Sequence, residues 1–493
     1  MASIPLADLS PSTDSNMTVN VPAQHSAPAG AEGQEAGNHP AAQDDMEPPT
    51  APPPDRGWPA WLAVISGFIQ LWASFGILNS WGSFQAVYVD EPWSKGVKLQ
   101  DIGWIGSVQP GLLFVLGGIA GYASDRLSAT VLMMIGTCIF SAAFLLLAEF
   151  GDGLGTYIAL QGFLYGLANT LLYYPILSVV STWFDRRRGL ALGIVASGSS
   201  LGGIFWPLVV DALNEAFGLK RTLQAVGLIP LVPLFIASFM VKERFPDTKI
   251  TLRRAFRRLT QRFTNAEKKS QGNTTTTLLA TASTTTGTTT PGALNSLKDP
   301  SFIALSIALF FIYGGMLIPF NLIPVFAEEH HHADVAHVLL AICYSGSVVG
   351  RIGTGALADY FGTFNMLCLM ALLTATLTAC WVTMTSLPAM IAFAVLYGLF
   401  SGGLIPLGSA CVAKITPPEQ IGQIGLRLGF TMMVCSISAF GGGPLSNFLL
   451  EGTGQSGWLA ACLFSGMATL VGGGIIFAIL VSRIVRGGQG YKF

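Results

Sequence analysis

Long apolar stretches separated by short polar ones dominate the pattern of this chain. A helix of about 20 apolar residues crosses the hydrocarbon core of a bilayer. The sequence contains twelve stretches of that kind, divided six and six by a polar segment at 242–300. They predict an all-α membrane protein of twelve transmembrane helices in two six-helix bundles, with spans near 60–82, 102–123, 130–150, 155–180, 189–210, 223–241, 302–326, 336–358, 364–385, 388–412, 427–449 and 458–482.

The polar segments around the spans predict the remaining organisation. The N-terminal segment is acidic, is rich in Pro and Ala, and has no apolar core of a signal peptide, so it predicts a disordered tail. Part of the central linker places apolar residues at helical spacing among Arg residues, which indicates an amphipathic helix at the membrane surface; a solvated basic linker is the alternative. The predicted divisions are a tail at 1–56, bundles at 57–241 and 301–484, a linker at 242–300 with the amphipathic helix at 251–263 and a Thr-rich disordered stretch, and a tail at 485–493.

Composition agrees with a membrane protein and argues against several classes of function. Hydrophobic residues make up 51% of the 493 residues and charged residues only 11%, against about a quarter in soluble domains. The seven Cys all fall in apolar stretches, where they are typical packing residues. The sequence has no phosphate-binding Gly-rich loop and no metal-binding motif. We therefore expect no cofactor, no metal site, no ATP-driven pump and no nucleic-acid partner.

The placement of positive charge predicts the orientation in the membrane. Most Lys and Arg fall in segments that share one side, including the Asp-Arg-Arg-Arg loop at 185–188 between the fourth and fifth spans. Cytoplasmic loops carry the excess of positive charge in membrane proteins, so both termini are predicted to be cytoplasmic. The plasma membrane is the expected location, with a vacuolar or other organelle membrane as the alternative.

A short sequence recurs in the two halves, in each case where a long apolar stretch ends. Residues 121–125 are Gly-Tyr-Ala-Ser-Asp, and residues 355–359 are Gly-Ala-Leu-Ala-Asp. Such internal repetition is typical of two-bundle secondary transporters; a chance match and simple helix capping are the alternatives. An Asp at a helix end can bind the N-terminus of a neighbouring helix or pair with an Arg. The residues predicted to gate the transporter are Asp125, Arg126, Asp359, Arg186 and Arg187.

One positive charge, Arg351, falls inside a predicted span. It lies eight residues before Asp359, roughly 12 Å deeper along the helix. A charge at that depth is costly unless it faces a cavity or a partner, so Arg351 predicts a contact with an anionic or polar group of the substrate. Tying helices together through backbone carbonyls is the alternative. Further substrate contacts are predicted only by position, and each is equally consistent with an interhelical hydrogen bond: Asn79, Tyr173, Asn321 and Tyr344.

Two segments carry a resemblance to a known family. Residues 53–61 are Pro-Pro-Asp-Arg-Gly-Trp-Pro-Ala-Trp, and residues 183–193 are Trp-Phe-Asp-Arg-Arg-Arg-Gly-Leu-Ala-Leu-Gly. They are similar to the start of helix 1 and to the helix 5 signature of the monocarboxylate transporter (monocarboxylate porter) family, in its fungal branch, within the major facilitator superfamily. The resemblance implies that Arg351 binds a substrate carboxylate. Two further charged groups of animal members are absent, since Ser347 stands in place of an Asp and Leu78 or Asn79 in place of a Lys.

These features predict a secondary active or facilitative transporter. It would move a small organic solute, such as a carboxylate, a vitamin or a secondary metabolite, by alternating access. No Asp or Glu lies clearly inside a span, so proton coupling through the substrate's own carboxyl group and facilitated transport both stay open. The lipid bilayer and the small-molecule substrate are the expected partners, and the chain is expected to work as a monomer. A transporter-like nutrient sensor that signals through its tail and linker is the alternative; an enzyme is not expected.

Overall fold

The computed structural model describes residues 55–244, 299–451 and 454–485. Most of the predicted N-terminal tail, the predicted amphipathic helix at 251–263 and the Thr-rich stretch lie outside these residues, as does nearly all of the predicted C-terminal tail. Those assignments and the exact domain divisions therefore stay predictions.

The described residues are almost entirely helical. Eleven helices are long and apolar enough to cross a membrane, and a bent pair makes a twelfth span. In the first half, α1 to α6 are Trp58–Val89, the pair Gln100–Val115 and Gly117–Arg126, Ala129–Phe150, Leu154–Trp183, Arg188–Phe217 and Leu219–Met240. In the second half, α7 to α12 are Pro300–Glu329, Val338–Phe361, Thr363–Thr383, Leu387–Lys414, Pro418–Ser438 and Gly457–Ser482. The predicted all-α membrane fold of twelve spans is confirmed.

Several spans depart from a regular α-helix. The two parts of α2 meet at an angle of 49° around Leu116, directly before two glycines. Glycine is a common site of such kinks, because it adds no side chain to support the helix. In α4, residues Ile158–Leu164 form a π-helix. The α10 span is divided at Gly403, and the regular α-helix of α11 is Ile424–Glu451.

The two halves meet through equivalent pairs of helices. Helix α2 packs against α11, and α5 packs against α8. Within the halves, α5 also packs against α1, and α11 also packs against α7. Helices α5 and α11 therefore each contact both halves, which places their ends where contacts between the halves can form or break.

We call the end of the molecule where α2 and α8 finish, at Asp125 and Asp359, the Asp end. Aromatic side chains pack at the opposite end of each half. In the first half, Trp93 stacks on Tyr157 with ring centroids 4.4 Å apart, and in the second half the rings of Trp381 and Phe393 stack at 4.9 Å. Large apolar side chains are also exposed on the outside of the spans, as is typical of surfaces that face lipid: Ile119, Leu208, Phe239 and Ile437.

Candidate functional site

The α2–α11 crossing brings two backbones into direct contact. Gly117 and Gly121 of α2 face Gly429 and Gly425 of α11. A Cβ atom added to Gly121 would overlap the carbonyl oxygen of Gly425, and one added to Gly429 would overlap that of Gly117. Small residues allow membrane helices to approach this closely, so the glycines of the first repeat set the distance between the halves.

The α5–α8 crossing has the same construction. Gly189 and Gly193 of α5 face the backbone of Gly355 and Arg351 in α8. A Cβ on Gly355 would overlap the carbonyl oxygen of Gly189, and one on Gly193 would overlap that of Arg351. The two crossings therefore match residue by residue, except that Arg351 occupies the place that Gly117 has in α2.

Each repeated Asp caps the first turn of a helix from the opposite half. The Asp125 carboxylate accepts hydrogen bonds from the backbone N–H groups of Gly425 and Leu426 at 2.9 and 2.7 Å. The Asp359 carboxylate accepts from those of Gly189 and Leu190 at 2.7 and 2.9 Å. These N–H groups have no partner within their own helix, and the helix dipole adds attraction for a negative charge.

The two caps differ in their surroundings. Ser178 of α4 donates to Asp125 at 3.3 Å. Near Asp359, Arg188 is buried; its Nη2 lies 3.5 Å from the Asp185 carboxylate, and its Nε donates to the Phe184 carbonyl at 2.9 Å. The second cap thus lies next to the Arg188–Asp185 ion pair, and the first accepts a hydrogen bond from a hydroxyl.

The basic residues predicted to gate the transporter do not all approach the Asp residues with their side chains. Arg126 lies over the Tyr122 ring at 5.0 Å. Arg186 and Arg187 are exposed, and it is their backbone N–H groups that are bound, by the carboxylate of Asp55 at 2.9 and 3.4 Å. Asp55 also accepts from the N–H of Asp185 at 2.7 Å, so the start of α1 clamps the loop before α5.

Arg351 is buried at the centre of the α5–α8 crossing, with 6% of its surface exposed. Its Nη1 donates to the Ala196 carbonyl at 2.5 Å and to the Ser199 hydroxyl, both in α5. Neither Nε nor Nη2 has a hydrogen-bond partner among the described residues. One edge of the guanidinium is therefore anchored to the opposite half, and the edge formed by Nε and Nη2 is available.

Three of the four other predicted substrate contacts lie around the same stretch of α5. Asn79 donates to the Ser199 carbonyl at 3.1 Å. A Cβ on Gly203 would lie 3.2 Å from the Asn79 side chain and 3.3 Å from the Tyr344 ring, so these residues converge there. Tyr173 and Tyr344 also lie in the neighbourhood of the Arg351 guanidinium. Asn321 is exposed, and no described contact joins it to this group.

Several residues with specific contacts were not selected from the sequence. Ser347, one turn before Arg351, accepts a hydrogen bond from Ser200 of α5 at 3.2 Å. Arg427 of α11 is buried; it donates to the Ile415 carbonyl at 3.2 Å and lies 3.7 Å from the Asp299 carboxylate. Arg427 stands at the predicted start of a span, where a positive charge is ordinary. The sequence therefore does not indicate that this side chain is buried. Asp55 lies within the segment at 53–61 that carries the family resemblance, but this segment does not identify the loop that Asp55 binds.

Comparison with known proteins agrees with this architecture. The family model of the Major Facilitator Superfamily matches residues 59–384 and 305–489. The "MFS-type transporter pynF" of Aspergillus niger is 34% identical over 90% of this chain and 92% of its own length. The "Aspyridones efflux protein apdF" of Emericella nidulans is 29% identical over 91% of this chain and 84% of its own length.

A solved structure has the same fold at much lower sequence identity. The crystal structure of the human organic anion transporter MFSD10 (TETRAN) aligns with a TM-score of 0.60 at 15% identity, over 85% of this chain and 100% of that chain. The predicted nutrient sensor receives no support from the relatives, which are named as transporters and efflux proteins. The chain belongs to the Major Facilitator Superfamily and is a multi-pass membrane transporter of small organic solutes.

Proposed function

We propose that the protein exports a small organic solute that carries an anionic oxygen group, and that Arg351 binds this group. The available Nε–Nη2 edge of Arg351 is the observation that carries the proposal. Two parallel N–H groups on one edge match the two oxygens of a carboxylate or a similar planar anion. A buried guanidinium held on one edge only is costly, and a bound anion would offset that cost.

Export is supported by the names of the relatives. One relative is named an efflux protein for aspyridones and covers most of both chains. The substrate of this chain is accordingly a secondary metabolite made in the cell. We place the Asp end in the cytoplasm, because the short basic loop at 185–188 lies there. The plasma membrane and a monomeric transporter are the location and state that fit export.

We further assign the chain to the monocarboxylate porter branch, on the segments at 53–61 and 183–193. Asp55 of the first segment binds backbone N–H groups in the second, so the two segments act as one unit. The chain functions as a transporter without enzymatic turnover. Ser347 and Asn79 provide no charged group, so any proton coupling runs through the substrate's own acidic group.

Alternating access follows from the two crossings. The Asp125 and Asp359 caps hold the halves together at the Asp end, each through two N–H groups. Hydrogen bonds to a charged group contribute about 1.5–3 kcal/mol each. Opening toward the cytoplasm breaks both caps, and solute binding at Arg351 supplies interaction energy between the same two helices, α5 and α8.

The test is efflux of acidic metabolites from cells or inside-out vesicles that contain Arg351→Gln or Arg351→Lys. We expect Arg351→Gln to lower transport by at least about tenfold, and Arg351→Lys to restore little of it, because Lys has a charge but no planar edge. Arg221→Gln is the matched control, since that exposed side chain lies in the first turn of α6, outside the crossing and at the other end of the helices. Unchanged transport by Arg351→Gln would exclude Arg351 from the binding site.

A further inference from the structure

A second group of polar side chains lies buried in helices of the second half. Tyr313 of α7 is 3% exposed and Ser409 of α10 is 1% exposed. Neither hydroxyl has a hydrogen-bond partner among the described residues. Buried hydroxyls are almost always paired, so two orphaned ones in one region indicate that something else satisfies them.

Tyr173 of α4 connects this group to Arg351. It lies in the neighbourhood of both the Arg351 guanidinium and the Tyr313 hydroxyl. Its hydroxyl also lies beside that of Ser409, although the two do not form a hydrogen bond of good geometry. Tyr173, which belongs to the first half, therefore links Arg351 to the two orphaned hydroxyls of the second half.

The position of Tyr313 depends on a glycine of the neighbouring helix. A Cβ on Gly408 would lie 2.9 Å from the Tyr313 hydroxyl and 2.9 Å from Leu309. Any larger residue would therefore displace the hydroxyl or fill the space beside it. The absence of a side chain at 408 therefore leaves room for the Tyr313 hydroxyl against α10, the helix that carries Ser409.

Aromatic rings accompany this polar region. Tyr173 packs against Phe75 with ring centroids 4.9 Å apart, and Tyr344 stacks on Phe320 at 5.7 Å. Phe75 and Phe320 are only partly buried. One ring pair comes from each half, so a flat ligand bound at Arg351 would have an aromatic surface from either half to pack on.

We propose that the site takes a planar conjugated acid with a second oxygen function, a hydroxyl or a carbonyl. The acid group binds the free edge of Arg351, and the second oxygen binds Tyr313 and Ser409. This inference rests on the proposed function and narrows its substrate class. Tyr313 and Ser409 then determine specificity, because an acid without the second oxygen leaves both hydroxyls unpaired.

The experiment compares two probe acids, cinnamate and coumarate, which differ by one phenolic hydroxyl. Binding to the full-length protein in nanodiscs is measured by titration. We expect the wild type to bind coumarate about tenfold more tightly than cinnamate, because a site with hydrogen-bonding groups for a hydroxyl rejects the analogue without it. Tyr313→Phe and Ser409→Ala should reduce this ratio to about threefold or less while cinnamate binding stays the same.

Tyr397→Phe is the matched control, since its hydroxyl donates to the Met316 carbonyl at 2.5 Å and lies outside the group. It should leave the ratio unchanged, and the melting temperature of each variant reports its folding. Equal binding of the two acids by the wild type, or an unchanged ratio in both Tyr313→Phe and Ser409→Ala, would overturn this inference and leave water as the partner of the hydroxyls. Binding of neither acid, or binding that Arg351→Gln does not weaken, would overturn the proposed function as well.

Discussion

The α2–α11 and α5–α8 crossings are built to one plan but differ at a single important position. Both pair glycines at a spacing of four residues, and both end in an Asp that caps the facing helix. Eight residues before that Asp, α2 has Gly117 and α8 has Arg351. The shared part holds two backbones together. The unshared side chain introduces the buried charge, so the proposed substrate contact falls in one crossing only.

The comparison between the two crossings would fail most clearly if substitution of the contacting glycines had no effect on transport. A Cβ at Gly355 overlaps a backbone oxygen, whereas a Cβ at Gly353, two residues earlier, meets no described atom within 4 Å. Gly355→Ala should therefore force α5 and α8 apart at a cost of about 3 kcal/mol and abolish transport. Gly121→Ala should do the same at α2–α11. Amide hydrogen exchange of the facing helices measures the separation; equal effects of Gly355→Ala and the control Gly353→Ala would contradict it.

The next largest effect is expected at the caps. Asp359→Asn removes the charge that binds Gly189 and Leu190, worth about 1.5–3 kcal/mol. Exchange of those two amides should accelerate by roughly 10- to 100-fold, and that of Gly425 should not change. Asp125→Asn should give the mirror-image result at α11. The same acceleration at both helices in each single variant would show that the crossings open together rather than separately.

Asp55→Asn tests the clamp on the loop that precedes α5. The Asp55 carboxylate is partly exposed, so its loss should cost about 1 kcal/mol and accelerate exchange of residues 185–187 about fivefold. Asp152→Asn, at an exposed position near the opposite end, serves as the control. If the loop exchanges at the wild-type rate, the clamp does not stabilise it.

The smallest effect is expected from loss of the Ser178 hydroxyl, which donates to the Asp125 carboxylate of the first cap. Ser178→Ala removes one hydroxyl donor to Asp125 at 3.3 Å, and exchange of Gly425 and Leu426 should accelerate about two- to threefold. Ser181→Ala, one turn along the same helix, removes a buried hydroxyl that has no described partner and should have no such effect. Identical rates in the two variants would remove Ser178 from the cap.

Much of the fold was predictable because the bilayer imposes a fixed length on apolar helices. The repeated Gly and Asp residues likewise marked both crossings, and Arg351 was visible as a lone charge among apolar residues. The partners of the Asp residues were not predictable. Asp125 and Asp359 bind backbone N–H groups, which every residue except Pro has, so no side chain identifies the facing position.

Side-chain chemistry was an incomplete guide to the contacts of the predicted gating residues, and it gave no signal for Tyr313 and Ser409. Arg186 and Arg187 stand out in the sequence by their charge, whereas the contacts that the described residues show for them are made by their backbone N–H groups. Tyr313 and Ser409 are separated by 96 residues in sequence and sit in helices without a polar face. Only tertiary packing brings them near Tyr173. The periodicity of apolar residues along a helix does not show which side chains of different helices come together.

The caps have a consequence for how such a transporter can diversify. Each carboxylate binds main-chain atoms. The capped turns need a residue without a side chain at Gly189 and Gly425, because a Cβ there would overlap the facing helix. The residues that form the caps are therefore separate from the residues around Arg351. If Arg351 binds the solute as proposed, substitutions around it alter which solute is carried without any compensating change at the caps. A duplicated gene could thus acquire a new cargo in single mutational steps, with every intermediate still able to open and close.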